Sequence, residues 1–282
     1  MRLFQKVWTI LSLPVLVLRA LLSRRSIPDP GGRGTISCTT YGPREWAALL
    51  AIDSLSRGTA RPVRVILFLD GPDYDLAALP LPFRALRRRG VEVRLVEHKD
   101  GAFNKLPAAD WPDIGREPPV LTIDDDNFLE PDWLAGLLEA HDRHPEAVIC
   151  YRARLMGLTP TGELTPYNSW PVLMEESDSI RLMPTGVCGA LYPPKAFEAI
   201  SRKGTGFRGL ATNDDLWFRF CAIENGIPAR LIRPADRPLR KIPFTQGTAL
   251  WRYHQSGDTN DRLVAALLPL FDLQALRDGE RQ

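Results

Sequence analysis

The residues best suited to chemistry are three adjacent carboxylates, Asp124, Asp125 and Asp126. Three like charges in a row repel one another unless a cation joins them. Hard divalent ions take oxygen ligands. Magnesium is held by one or two carboxylates together with substrate phosphates, and manganese has similar tastes. In extended backbone alternate side chains share a face, so Asp124 and Asp126 would point together and Asp125 elsewhere, unless the strand has already turned. Such a pair suits a metal that bridges a diphosphate and neutralises charge on a leaving nucleotide. The plainer alternative is an acidic turn that caps the next helix.

A second acidic pair, Asp214-Asp215, follows Asn213 at the start of a helical pattern. Thr212 or Asn213 can cap that helix, and its dipole favours negative charge in the first turn. The same place suits a general base, because transfer to a hydroxyl needs a carboxylate held within hydrogen-bond reach of it.

The elements that must position these groups alternate strand and helix. Thr35 to Thr39 is a strand, Tyr41-Gly42-Pro43 turns the chain, and Glu45 to Leu55 has helical apolar spacing. Val63 to Leu69 is a strand, followed by a helical stretch to Arg89 and a half-exposed strand from Val91 to Val96. Val120 to Ile123 is a short buried strand running straight into the aspartates. Pro131 to His141 predicts a helix, and Ala147 to Tyr151 another strand. Strands recurring with helices between them predict an α/β domain with a mainly parallel sheet. In such sheets ligands bind beyond the carboxyl ends of the strands, where the aspartates lie. Thr159 to Pro184, with Pro160, Pro166, Pro171 and Pro184, is expected as a long excursion of binding-loop type. Asn213 to Glu224 predicts a helix closed by Asn225-Gly226, Pro228 to Ile232 a last strand, and Asp261 to Leu276 a C-terminal helix.

The 282 residues, 44% hydrophobic and 25% charged, can build a sizeable core. A net charge of +2 gives no footprint for nucleic acid. Cys38, Cys150, Cys188 and Cys221 form no Cys-x-x-Cys pair and are expected as buried free thiols, which fits a reducing cytoplasm. Arg87-Arg88-Arg89 is expected as a solvated helix end. Val7 to Leu22 is strongly apolar but carries Pro14 and Arg19, with Arg2, Lys6, Arg24 and Arg25 on its flanks. It is too broken for a span, which needs about 20 apolar residues. An interfacial membrane anchor is the expectation, with a helix docked on the protein itself as the alternative. Three parts follow: residues 1–25 as this helix, 26–34 as a Pro- and Gly-rich linker, and 35–282 as the main domain.

Leu121-Thr-Ile-Asp-Asp-Asp-Asn-Phe128, followed by Pro131-Asp132-Trp133, resembles the DXD-type segment of GT-A glycosyltransferases. Gly186-Val-Cys-Gly-Ala-Leu-Tyr-Pro-Pro194 and Thr212-Asn-Asp-Asp-Leu-Trp217 resemble later segments of bacterial family-2-like enzymes, which make cell-surface polysaccharides. Asp100-Gly-Ala-Phe-Asn-Lys105 and Tyr167-Asn-Ser-Trp170 are also similar to that group. The likeness runs from roughly Thr35 to Val264. It implies a GT-A, Rossmann-like fold and transfer of a sugar, with inversion, from a UDP- or GDP-sugar to a glycan or lipid-linked acceptor. It also implies a divalent metal, Mn2+ or Mg2+, and a cytoplasmic place on the inner face of the membrane. By the same resemblance Thr39, Tyr41, Arg44, Asp100 and Lys105 contact the nucleotide part of the donor, with Asp124 and Asp125 beside it. Asp124 and Asp126 hold the metal, with His254 as a further candidate. Asp215 is the base and Asp214 supports it. Gly186 and Gly189 let the backbone approach the sugar, and Tyr167 and Trp170 face the acceptor. The pair is Asp-Asp here where many relatives have Glu-Asp. A nucleotidyltransferase acting on sugar phosphates would want a glycine-rich phosphate loop, which Thr39-Thr40-Tyr41-Gly42-Pro43 lacks. An inactive carbohydrate-binding protein of the same fold would show damaged acidic motifs, and both are intact.

Overall fold

Apolar runs bounded by turn residues make the centre of a computed structural model that describes residues 2–107, 119–206, 208, 213–233, 240–245 and 259–278. Strands β1 (Thr35–Thr39), β2 (Arg64–Asp70), β3 (Glu92–Val96) and β4 (Val120–Ile123) lie parallel in the order β3-β2-β1-β4. The chain passes between the first three through α2 (Glu45–Leu55) and α3 (Leu81–Arg88), after α1 (Arg2–Leu22). Beyond β4, the short β5 (Asn127–Phe128), α4 (Trp133–Arg143), β6 (Val148–Cys150) and β7 (Ala153–Leu155) follow. Next come β8 (Ser177–Ser179), β9 (Leu182–Pro184), β10 (Ala190–Tyr192), α5 (Pro194–Lys203), α6 (Asp214–Glu224), β11 (Ala229–Leu231) and β12 (Arg240–Lys241). The chain finishes with α7 (Thr259–Leu267) and α8 (Gln274–Asp278). The central sheet has eight strands in the order β3-β2-β1-β4-β10-β6-β11-β8. β10 and β8 run against the other six, so the sheet is mixed with a parallel majority.

Alternation along the strands builds two cores, one on each face of the sheet. In β2, Val65, Leu67 and Leu69 join α2, α3 and α4 on one face, while Ile66 and Phe68 face the layer of α5, α6, α7 and α8. Burial on both faces is why these strands appear in the sequence as unbroken apolar runs.

Several elements differ from expectation for identifiable reasons. Prolines begin α3, with Pro80 as its cap and Pro82 in its first turn, so the helix is shorter than the stretch that reaches Arg89. The C-terminal helix is broken by Pro269 into α7, a 3-10 turn at Leu268–Leu270, and α8. The excursion between residues 159 and 184 contains β8, β9 and a 3-10 turn at Tyr167–Ser169, and β9 pairs with β7. β11 is an inner strand, and β12 follows it to pair with β5. Three cysteines are buried and free, and Cys188 is half-buried and also free.

Helix α1 lies against its own domain. Leu13, Leu16, Val17 and Leu21 pack on the core, and Ala20 is fully buried. Its end is fastened by a buried ion cluster. Asp53 of α2 accepts from Arg89 at 2.7 Å, Arg57 at 2.8 Å and Arg19 at 3.0 Å. Arg89 also donates to the Arg25 carbonyl at 2.9 Å and the Ala20 carbonyl at 3.4 Å. The arginine run is therefore not a uniformly solvated helix end. Arg87 and Arg88 are exposed, but Arg89 is enclosed because α1 covers it. The linker is pinned as well: Ile27 is buried, and its N–H donates to the Arg89 carbonyl at 2.9 Å. On the outer side of α1, Leu11, Val15, Leu18 and Leu22 form an apolar stripe, each between 56% and 70% exposed. Among the described residues no helix is long and apolar enough to cross a membrane.

Candidate active site

The carboxyl ends of β1, β2 and β4, the residues after β6 and the start of α6 surround one cavity of about 630 Å³. That is within the usual range for a small-molecule site, roughly 300–1,000 Å³. The position is the one expected of a parallel sheet, beyond the strand ends.

Strand β4 stops at Ile123, and the chain is already turning at Asp125 and Asp126. The three carboxylates therefore fan out instead of alternating, and all three line the cavity. Asp124 Oδ1 lies 2.6 Å from Lys105 Nζ. Asp125 accepts from Thr40 Oγ1 at 2.6 Å and from Arg44 Nη1 at 2.7 Å. Burial pushes Asp125 up to about 6, against the pull of Arg44 and Thr40. Asp126 accepts from Asn127 Nδ2 at 2.6 Å, and Arg44 Nη2 lies 3.6 Å from its other oxygen.

Lys105 ends the 3-10 turn Gly101–Lys105 that follows β3. Its buried ammonium bridges the two acidic motifs, 2.6 Å from Asp124 and 3.1 Å from Asp214. Burial opposes its charge, but Asp124, Asp214 and Asp215 outweigh it and hold the lysine well above its ordinary value. Helix α6 starts on the cap Asn213, whose side chain accepts from Leu216 N–H at 3.3 Å. Asp214 and Asp215 occupy its first turn. Asp215 Oδ2 accepts from the Gly186 N–H at 2.9 Å. Burial and then the neighbouring Asp214 push Asp215 up to about 7, while Lys105 and Gly186 pull the other way. Burial raises Asp214 too, with Lys105 opposing.

Of the other expected donor contacts, Thr39, Tyr41 and Arg44 line the cavity. Thr39 Oγ1 is committed to the Phe68 carbonyl at 3.0 Å, and the Arg44 guanidinium lies over the Tyr41 ring, 5.7 Å from its centroid. Asp100 is held outside: Arg208 grips its carboxylate at 2.6 to 3.0 Å, while the next residues, Gly101 and Ala102, line the cavity. The two glycines make room for protein instead of sugar. A Cβ on Gly186 would sit 2.7 Å from Asp215 Oδ1. Gly189 has φ +77°, and a Cβ there would sit 2.5 Å from the Trp133 ring. On the far side Tyr167 lines the cavity, but Trp170 does not. Trp170 is 1% exposed, with its Nε1–H on the Thr165 carbonyl at 2.9 Å and its ring 4.9 Å from that of Tyr167. It supports Tyr167 from within the core because its neighbours are apolar and its one donor is satisfied there. His254 lies outside the described residues.

Sequence reasoning missed Thr40, Asp70, Arg152, Arg154 and Asn260, all of which line the cavity. Asp70 ends β2, accepts from Asn104 Nδ2 at 2.6 Å, and is raised by burial. Asp70 and Arg152 stand at or just past strand ends, so the rule that located the aspartates would also have found them.

Among the described residues no group of three or more His, Cys, Asp or Glu side chains is arranged to hold a metal ion. The cavity does present hard oxygen donors, Asp124 and Asp126, and one or two carboxylates with substrate phosphates are what Mg2+ usually takes.

No model of a known protein family matches the chain, and no curated protein is similar enough in sequence to count as a relative. The chain is similar in structure to the mannosyltransferase PcManGT from Pyrobaculum calidifontis, solved in complex with GDP-Man and Mn2+. The TM-score is 0.50 at 16% identity, over 93% of this chain and 73% of that one. Two looser likenesses carry no weight for the site. TarS 1-349 of S. aureus matches with TM-score 0.48 and 15% identity over 73% of this chain, which spans 59% of that one. 4-Diphosphocytidyl-2C-methyl-D-erythritol synthase from Anaerococcus prevotii matches with TM-score 0.43 and 14% identity, over 67% of this chain and 82% of that one. At such identity a likeness is one of fold, and with its strand order and the place of its acidic cavity the chain has the GT-A, Rossmann-like glycosyltransferase fold.

Proposed function

We propose that the chain is a glycosyltransferase that moves a sugar, with inversion, from a nucleotide-sugar donor to a hydroxyl of a glycan or lipid-linked acceptor. The observation that carries this reading is Lys105. It joins the aspartates at the end of β4 to those at the start of α6 inside one cavity, which supports a reading with a donor site on one side and a base on the other. The similar mannosyltransferase binds GDP-Man, which makes GDP- and UDP-sugars the first donors to try.

In this reading Thr39, Tyr41 and Arg44 border the nucleotide. Asp124 and Asp126 would hold a divalent cation, Mn2+ or Mg2+, whose chemistry when bound is to neutralise charge on the diphosphate. Asp215 takes the proton of the acceptor hydroxyl. The acceptor oxygen bonds to the anomeric carbon as the carbon–oxygen bond to the diphosphate breaks, and the nucleoside diphosphate leaves with the electron pair. A base near 7 suits the task, because about half of it is ionised at neutral pH and it is still basic enough to take the proton. The Gly186 N–H fixes one carboxylate oxygen, and Lys105 keeps the acidic pair from repelling itself apart.

The test is to incubate the protein with UDP- and GDP-sugars and Mn2+ and identify the released product. Nucleoside diphosphate, lost in Asp215→Asn while nucleotide still binds, supports the reading. Pyrophosphate released from a nucleoside triphosphate and a sugar phosphate would replace it with nucleotidyl transfer. Bound sugar without turnover would leave a binding protein.

Residues 35–282 would be the transferring domain, working in the cytoplasm at the inner face of the membrane. Leu11, Val15, Leu18 and Leu22 follow helical spacing on the outer face of α1, and the exposed Arg24, Arg25, Arg87 and Arg88 stand beside it. An apolar stripe bordered by arginines suits an anionic lipid surface. Co-sedimentation with phosphatidylglycerol vesicles should be lost in Val15→Asp/Leu18→Asp. No binding by the wild type would show that α1 does not hold the protein at a lipid surface.

A further inference from the structure

Four of the cations that line the cavity fall into two groups. Lys105 and Arg44 are matched by carboxylates at 2.6 and 2.7 Å. Arg152 and Arg154 line the same cavity, both half-buried, yet among the described residues neither is ion-paired with a carboxylate. Arg152 Nη1 donates to Thr185 Oγ1 at 2.7 Å. Arg154 Nη1 donates to the Trp170 carbonyl at 2.7 Å, and its guanidinium lies over the Tyr167 ring, 5.3 Å from the centroid. A guanidinium has five N–H donors in a planar fork, so neutral oxygens use only part of what each arginine offers. Half-buried positive charge without a counter-charge is costly, and a planar anion would meet it with paired, charge-assisted hydrogen bonds.

Their place assigns the ligand. Arg152 and Arg154 flank the buried Ala153 at the start of β7, so they share a side of the extended chain. They follow β6, which lies two strands from β4 across β10, roughly 10 Å at ordinary strand spacing. Thr185, the partner of Arg152, immediately precedes Gly186, whose N–H holds Asp215. The arginines therefore stand beside the base, on the opposite side of the cavity from Thr39 and Tyr41.

We propose that the acceptor is an anionic sugar, carrying a carboxylate or phosphate near the hydroxyl that is glycosylated, and that Arg152 and Arg154 bind this group. The proposal rests on the glycosyl-transfer reading of the cavity. It explains why the carboxylate-rich cavity keeps two arginines without carboxylate partners at its acceptor end.

Glucuronic acid, glucose 6-phosphate and glucose serve as probes. Each is titrated by ligand-observed NMR into protein saturated with diamagnetic Mg2+ and whichever of UDP or GDP it binds. Charged hydrogen bonds predict that an anionic probe binds about 10-fold or more tighter than glucose, and that salt weakens the preference. The carboxylate and phosphate arms tell which anion the fork prefers. Arg152→Gln/Arg154→Gln should bring anionic and neutral probes level while nucleotide affinity stays within about 2-fold, and Arg152→Lys should retain part of the preference. Equal binding of all three probes by the nucleotide-loaded wild type would overturn the proposal. So would loss of nucleotide affinity in the glutamine variant, which would give the arginines to the donor diphosphate. If the wild type binds no nucleotide, the glycosyl-transfer reading fails first and the acceptor falls with it. A folded glutamine variant is verified by its melting temperature, and Arg152→Lys supplies the test if that variant does not fold.

Discussion

Replacing Asp215 by asparagine should stop transfer and, above neutral pH, make the protein harder to melt. Burial and Asp214 move Asp215 from an ordinary 3.8 to about 7. Ionising it in the folded state therefore costs about 4 kcal/mol relative to the unfolded chain. That figure already sets the push of Asp214 against the pull of Lys105, and it is a ceiling because the asparagine amide must itself be buried and loses the charge-assisted contact with Gly186 N–H. A net gain of about 1–2 kcal/mol remains, or roughly 2–6 °C in Tm for a chain of this size. The sign follows from linkage. The folded state holds the Asp215 proton more tightly than the unfolded state, so the wild type is favoured at low pH and loses stability as pH rises through about 7. The advantage of Asp215→Asn should be nearly absent near pH 4, grow towards 7 and level off above it. Scanning calorimetry of both proteins at several pH values measures this directly. A variant that melts at or below the wild-type temperature at pH 8, or by a gap that ignores pH, would refute the claim that the cavity holds a strained base.

Three further outcomes follow from the same geometry. Activity at saturating donor should fall as pH drops below about 7, because Asp215 must be ionised to take a proton; a flat profile between pH 5 and 8 would point to another base. Gly186→Ala places a Cβ 2.7 Å from Asp215 Oδ1 and should displace the base, lowering kcat by about 100-fold with nucleotide affinity retained; unchanged kcat would show that the Gly186 contact does not position it. Lys105→Met leaves Asp124 and Asp214 without their shared counter-charge and should cost about 3–5 kcal/mol in urea unfolding at neutral pH, a loss smaller than about 1 kcal/mol being inconsistent with the bridge.

The parallel half of the fold could be read from the sequence because its strands are buried on both faces. Arg64 to Asp70 and Val120 to Ile123 carry nearly unbroken apolar runs, and turn residues punctuate them. In the other half α4, β6, α6 and β11 could be read as well, but the strands between β6 and α6 could not. β8, β9 and β10 are three residues each, too short for a periodic signal, and two of them lie within or at the edge of a proline-rich stretch. Charge carried the wrong message at Arg89, whose neighbours Arg87 and Arg88 are exposed while it is buried under α1; only the tertiary position of Asp53 distinguishes them. The acidic motifs were legible because their chemistry is local. The glycines and Trp170 were not, because a small or apolar residue near a site does not declare what it packs against. Gly186 faces Asp215, Gly189 faces Trp133, and Trp170 props Tyr167. Arg152 was legible in principle, since it stands just past a strand end, but it carries no motif.

Everything proposed for this cavity depends on its holding a nucleotide through the aspartates at the end of β4. The most direct measurement is a calorimetric titration of GDP and UDP into the wild type and Asp126→Ala, with and without Mn2+. One nucleotide should bind the wild type tightly only when Mn2+ is present, and Asp126→Ala should lose that dependence together with most of the affinity. No binding of either nucleotide, or binding indifferent to both Mn2+ and Asp126, would contradict it.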